Sequence, residues 1–125
     1  AALARCFHAA APEEVDFLLR WGFARRTGFD ARAAYLGALR GVRDDFLARG
    51  ADYRRALGGL DVPVLLVHGR QDPVVNASHC ADVADGIPRA ALRWLDACGH
   101  FPQIERAPVV NAWLAEFLPG RPAPR

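Results

Sequence analysis

The sequence predicts an α/β fold in which two parallel strands with flanking helices form the C-terminal part of a larger sheet. From residue 61 onward, two short apolar segments alternate with two helical patterns, an order typical of a parallel sheet. The first apolar segment, "VLLV", lacks polar alternation, as expected for a strand that is buried on both faces. Two strands alone leave sheet edges unpaired, so we expect the rest of the sheet in a longer chain.

Length and composition fit a single globular domain, with 125 residues of which 52% are hydrophobic and 24% are charged. All sixteen basic residues are arginines, and they are spread along the chain without a stripe that could follow phosphates. No apolar run reaches membrane-spanning length, and no signal-peptide pattern is present. The three irregularly spaced cysteines favour a reducing compartment. We therefore predict a cytoplasmic protein without nucleic-acid or membrane partners, and the oligomeric state stays open.

The first 60 residues carry only helical patterns. Pro12 stands where a first helical residue is favoured, and two glutamates follow it, so a helix is expected from there to about Gly22. A longer helix is predicted to end at Gly50, and a short one is predicted over 53–60. The apolar residues of these helices recur at steps of three and four, and we expect them to pack in a core.

The second half of the chain is predicted to run strand, helix, strand, helix. The apolar and turn residues set these elements at 63–68, 76–85, 90–96 and 107–118. A parallel pair joined in this way needs a crossover connection, which is expected to be right-handed. The remaining segment, 119–125, is rich in proline and is predicted to be a disordered tail.

Two polar residues follow the two predicted strands. Asp72 lies in "HGRQDP" just after the first strand, and His100 lies in "DACGHF" just after the second. The carboxyl ends of parallel strands meet at one edge of a sheet, which is where reactive groups collect. A histidine that acts as a general base needs a carboxylate to fix its tautomer and to stabilise its charged form. The sequence therefore predicts an acid–histidine pair made by Asp72 and His100.

Other candidate residues are predicted to have structural roles. Ser78 is the single serine, lacks the flanking glycines of a nucleophile turn, and is expected to face solvent on a helix. His79, Cys80 and Asp82 are close in sequence, but their spacing on a helix does not converge on one ion, so no metal site is predicted. His68 precedes a glycine at a strand end and is expected to pack.

The segment "VPVLLVHGRQDPVV", followed by "CGHFPQIE" and an amphipathic helix, resembles the last two strands and helices of the α/β-hydrolase fold. It is similar to the branch of that family in which a helical cap precedes these strands. The resemblance covers 61–118, whereas 1–60 resembles a cap and its return helix only in character. It implies that Asp72 is the triad acid, that His100 is the general base, and that the nucleophile lies upstream.

The resemblance also implies an activity. Members of the family act on small-molecule substrates, and we expect no cofactor and no metal. Phe101, next to the histidine, is a candidate for the substrate pocket, with a packing role as the alternative. The family's G-x-S-x-G nucleophile turn is missing from this sequence, and the chain has no methionine at its start. We therefore expect a C-terminal fragment that is inactive alone and that in a longer chain hydrolyses a small ester or related acyl substrate.

Three alternatives stay open at this point. The chain could be a fragment of an epoxide hydrolase or a haloalkane dehalogenase, which carry an Asp nucleophile with the same acid and histidine. It could also be a truncated, non-catalytic relative that serves as a packing or binding module. A nucleotide-binding domain ranks last, because the first strand leads into "HGRQDP" and not into a G-x-G-x-x-G turn.

Overall fold

The computed structural model describes residues 3–24 and 29–118. Within these ranges the elements are a 3-10 turn at Leu3–Cys6, α1 at Pro12–Ala24, α2 at Phe29–Gly58, β1 at Val64–Gly69, α3 at Ala77–Asp85, β2 at Ala90–Leu95, α4 at Pro102–Glu105 and α5 at Ala107–Phe117. The predicted order of strand, helix, strand, helix is confirmed, with α4 as an additional short helix. The predicted tail at 119–125 lies outside the described residues.

The two strands form the parallel pair that the sequence predicts. Val64 lies opposite Ala90, and the register continues along the strands to Gly69 opposite Leu95. The connecting helix α3 begins after Asn76. The side-chain oxygen of Asn76 caps the helix by accepting a hydrogen bond from the backbone N–H of Ser78 at 2.9 Å. Because both strands run in the same direction, the loops that follow them leave from one edge of the sheet.

The core lies between the sheet and α5. Leu95, Cys98 and Val110 are buried there, and the partly buried Val67 and Trp113 pack against them. Burial raises the pKa of the Cys98 thiol to about 11. The thiol therefore stays protonated near neutral pH and serves as a small apolar residue, not as a nucleophile.

Helix α2 is longer than the sequence predicts. It runs without interruption for 30 residues, so the predicted end at Gly50 and the separate short helix after it are wrong. One glycine costs a helix only about 1 kcal/mol relative to alanine. The residues on both sides favour a helix, and Asp45 pairs with Arg49 one turn later at 3.5 Å. Among the described helices, α2 included, none is long and apolar enough to cross a membrane.

The apolar side chains along α2 are not buried as the sequence predicts. Tyr35, Leu39, Val42 and Phe46 are between 47% and 68% exposed. An apolar stripe is buried only where a second layer covers it. In the described structure, α3 lies beside the C-terminal half of α2, where Leu57 is half-buried. The predicted periodicity is present, but the expected core contact is wrong for this part of the helix.

A glycine at the end of β1 allows the two loops to approach. A Cβ atom at Gly69 would lie 2.3 Å from the carbonyl oxygens of both Cys98 and Gly99. We expect Gly69→Ala to lower the free energy of unfolding by about 1–3 kcal/mol, because one loop must shift to make room. Urea unfolding of the chain, followed by circular dichroism, measures this change.

The matched control is Gly41→Ala in α2, where an added Cβ atom meets nothing within 4 Å. This substitution is expected to stabilise the chain by up to about 1 kcal/mol, because alanine is the better helix former. Equal stability of Gly69→Ala and the wild type would contradict the inferred backbone contact.

Candidate active site

The structure brings the two predicted site residues together. Nδ1 of His100 lies 2.9 Å from Oδ2 of Asp72, although the residues are 28 positions apart in the sequence. Asp72 lies three residues beyond the end of β1, and His100 lies five residues beyond the end of β2. Their meeting follows from the parallel pairing, which directs both loops to the same edge of the sheet.

The carboxylate of Asp72 is held by its own loop. Its Oδ1 atom accepts the backbone N–H groups of Val74 at 2.7 Å and Val75 at 3.0 Å, and the side chain is only 4% exposed. Burial by itself raises the pKa of Asp72, but the hydrogen bonds from His100, Val75 and Val74 outweigh it and hold the pKa below its ordinary value of 3.8. The carboxylate is therefore charged near neutral pH and accepts hydrogen bonds without donating any.

The position of the carboxylate determines which tautomer of His100 fits. An ionised carboxylate can only accept, so Nδ1 of His100 must carry the hydrogen that lies between the two side chains. When the ring is neutral, Nε2 then carries the lone pair that a general base uses. The His100 side chain is 33% exposed, in contrast to its nearly buried partner. The pair thus combines a shielded acid with an accessible base.

A small cleft adjoins the pair. Its volume is about 280 Å³, at the low end for ligand pockets. Its lining consists of Val67, His68, Asp72, Val75, His100, Pro102 and Gln103. Phe101 is not among these residues, and its ring stacks on that of Phe7 with the centroids 4.8 Å apart. The role of Phe101 in a substrate pocket stays a prediction.

His68 does more than pack. Its side chain is 10% exposed and meets Trp94 edge to face, with ring centroids 5.6 Å apart. Its Nε2 atom lies 3.1 Å from the carbonyl oxygen of Val75 and 3.7 Å from Oδ2 of Asp72. His68 therefore links β1 to the loop that carries the acid. The sequence carries a signal for this role of His68, because it is a polar residue in an otherwise apolar strand and a buried polar side chain needs a hydrogen-bond partner.

The remaining predicted candidates lie elsewhere. Ser78 is exposed, and its Oγ atom lies 3.0 Å from the capping oxygen of Asn76. His79 and Asp82 line a separate groove between α2 and α3. In the part of the chain that the structure describes, no three His, Cys, Asp or Glu side chains are grouped to hold a metal ion.

The lowered pKa of Asp72 makes folding stability depend on pH. The folded chain keeps this carboxylate ionised at a lower pH than the unfolded chain does. Its contribution to stability is therefore complete above about pH 4 and is lost as the pH falls through the lowered pKa. We expect Asp72→Asn to flatten the acid side of a plot of unfolding free energy against pH, measured by urea unfolding.

Asp85→Asn is the control for this measurement, because Asp85 is an exposed carboxylate at the end of α3. It is expected to leave the acid-side slope close to that of the wild type. An Asp72→Asn slope that equals the wild-type slope would contradict the role given to these hydrogen bonds.

Comparison with known proteins identifies relatives of the chain. Residues 28–107 match the family described as the alpha/beta hydrolase fold. Over 101 residues the chain is 34% identical to a 2-hydroxymuconate semialdehyde hydrolase from Pseudomonas sp. (strain CF600). This match covers 80% of the chain but 35% of that protein, so the chain spans about a third of the length of this relative.

Two solved structures are also similar to the chain. A meta-cleavage product hydrolase from Pseudomonas fluorescens IP01 is 34% identical, with a TM-score of 0.50 over 51% of this chain and 24% of that one. A 2-hydroxy-6-oxo-6-phenylhexa-2,4-dienoate hydrolase from Rhodococcus sp. strain RHA1 shares the fold over 91% of this chain and 41% of its own, with a TM-score of 0.68 and 24% identity. As its motifs predict, the chain belongs to the α/β-hydrolase fold family.

Proposed function

We propose that the chain supplies the acid and the general base of a catalytic triad in an enzyme that hydrolyses a small ester or related acyl substrate. His100 is the base, and Asp72 orients it. The observation that carries this proposal is the 2.9 Å contact between His100 Nδ1 and a buried, charged carboxylate. Such a contact fixes the tautomer that leaves Nε2 free for proton transfer.

The proposed reaction has two halves. Nε2 of His100 takes the proton of the nucleophile's hydroxyl group as its oxygen attacks the acyl carbon, and Asp72 stabilises the imidazolium that forms. The imidazolium then protonates the leaving group, and an acyl-enzyme remains. In the second half, the neutral imidazole activates a water molecule, which releases the acid and restores the nucleophile. The 33% exposure of the His100 side chain fits a base that must reach substrate.

The nucleophile is proposed to belong to another part of a longer protein. The only serine, Ser78, is exposed, bonds to the helix cap residue Asn76 and is not among the residues that line the cleft. The chain matches only 35% of the length of the 2-hydroxymuconate semialdehyde hydrolase, which supports a longer protein. So do the exposed apolar side chains of α2, because large apolar surfaces normally meet a partner. The chain by itself is then inactive.

The proposed setting is a cytoplasmic enzyme with a small-molecule substrate. Cys98 is fully buried as a thiol, and Cys80 is also a free thiol, which suits a reducing compartment. Two of the relatives named above are a 2-hydroxymuconate semialdehyde hydrolase and a meta-cleavage product hydrolase, and these names favour hydrolysis at a carbonyl group over epoxide or halide chemistry. The cleft volume of about 280 Å³ is in keeping with a small substrate.

The role of His100 is tested in the full-length product of the reading frame that carries this chain. We expect His100→Ala to lower kcat for p-nitrophenyl acetate by about 10²- to 10⁴-fold, because proton transfer to and from the reacting groups is lost. His79→Ala, at an exposed position of α3, is the control and is expected to keep the wild-type rate. Wild-type activity in His100→Ala would rule out this base.

The location of the nucleophile is tested in two ways. The isolated chain is expected to release no p-nitrophenol above the rate of a His100→Ala chain, and measurable turnover would contradict the proposal. The upstream coding sequence is expected to contain G-x-S-x-G. A G-x-D-x-G motif would favour an Asp-nucleophile enzyme, and the absence of both motifs would favour a non-catalytic packing or binding module.

A further inference from the structure

One buried carboxylate joins two segments that lie far apart in the sequence. Glu105, the last residue of α4, is 8% exposed. Its Oε2 atom accepts the backbone N–H groups of His8 at 2.8 Å and Ala9 at 2.7 Å. Its Oε1 atom accepts the backbone N–H of Gly99 at 3.0 Å. Both carboxylate oxygens are thus occupied by backbone donors, and these charge-assisted bonds are stronger than neutral ones.

Further contacts converge on the same place. The backbone N–H of His100 donates to the carbonyl oxygen of Cys6 at 2.7 Å. The ring of Phe7 stacks on that of Phe101 with centroids 4.8 Å apart. A Cβ atom at Gly99 would lie 2.5 Å from the carbonyl oxygen of Cys6. We call this meeting of residues 6–9, residues 99–101 and the Glu105 carboxylate the N-terminal junction.

The junction fixes the backbone at the histidine from two directions. Glu105 directly holds the peptide group between Cys98 and Gly99, one residue before His100, through the N–H of Gly99. It holds the His100 peptide indirectly, because the segment that accepts the His100 N–H continues into the two residues bound by Oε2. A histidine whose backbone moved by a fraction of an ångström would no longer meet Asp72 at hydrogen-bond distance.

We propose that Glu105 is a positioning residue for His100, which holds residues 6–9 on the histidine loop and so keeps the imidazole on Asp72. The inference rests on the proposed role of His100 as the general base and deepens it. It makes the geometry of the base depend on a segment that precedes the helices α1 and α2 in the chain. A carboxylate suits this task, because three donors need a group that only accepts.

Glutamine is therefore the informative substitution. In Glu105→Gln one oxygen remains an acceptor, but the amide NH₂ group faces a backbone N–H donor where the second oxygen was. Either Gly99 or the pair formed by His8 and Ala9 then loses its acceptor. Side-chain volume is nearly unchanged, so packing stays close to that of the wild type. Glu13→Gln, at an exposed position of α1, removes an equal charge and is the control.

The experiment compares wild type, Glu105→Gln, Glu13→Gln and His100→Ala in the full-length protein. For p-nitrophenyl acetate we expect Glu105→Gln to lower kcat by about 10- to 100-fold with little change in KM, because a small displacement of the base impairs proton transfer but leaves the cleft in place. Proton NMR is expected to lose the far-downfield Nδ1–H signal of His100 in Glu105→Gln. Glu13→Gln is expected to keep both the rate and the signal.

The outcomes separate this inference from the proposed function. If the wild type hydrolyses the ester and His100→Ala does not, a Glu105→Gln protein with wild-type kcat and an intact Nδ1–H signal overturns the inference alone. If wild type is inactive or His100→Ala is active, the proposed function fails, and the NMR signal still decides whether Glu105 holds the imidazole on Asp72.

A second variant covers the case in which Glu105→Gln does not fold. Ala9→Pro removes one of the three N–H donors and leaves the carboxylate in place. It is expected to weaken the Nδ1–H signal and to lower kcat in the same direction but by less, because two donors remain. A folded Ala9→Pro protein with wild-type kcat and signal overturns the inference.

Discussion

The site depends on the close approach of two backbone loops at one edge of the parallel pair. The absence of a side chain at Gly69 allows it, since a Cβ atom there would lie 2.3 Å from the carbonyl oxygen of Cys98. That carbonyl accepts the backbone N–H of Gln71 at 3.0 Å, and the Gln71 side chain accepts the N–H of Cys98 at 3.1 Å. These bonds extend the strand pairing beyond the strand ends. The positions of Asp72 and His100 follow from this extended pairing.

Asp72 and His100 lie in different environments, and this difference separates their roles. The Asp72 side chain is almost fully buried and receives two backbone N–H groups, so its charge is stabilised and its orientation is fixed. His68 holds the same loop from the strand side through the carbonyl oxygen of Val75. His100 keeps one ring nitrogen on the carboxylate and remains partly exposed. A rigid acid beside an accessible base is the arrangement that proton transfer to a bound substrate requires.

The two halves of the chain differ in how many of their apolar side chains are buried. Around β1, β2 and α5 the apolar residues form a small core. Along α2 the helical periodicity is equally regular, yet residues such as Val42 and Phe46 are 68% and 65% exposed. Periodicity reports which face of a helix is apolar, whereas burial requires another layer of structure to cover that face.

The sequence by itself determined the order of strands and helices in the second half of the chain and the pairing at the site. The apolar run at β1, the helix pattern over 76–85 and the order of strands are local patterns, and together they predict that Asp72 and His100 lie at one sheet edge. Only the tertiary structure decided the continuity of α2 through Gly50 and the contacts of Glu105. The Glu105 carboxylate meets a backbone N–H group 97 positions away in the sequence. No local pattern encodes such a contact, because it depends on the path that folding gives to the whole chain.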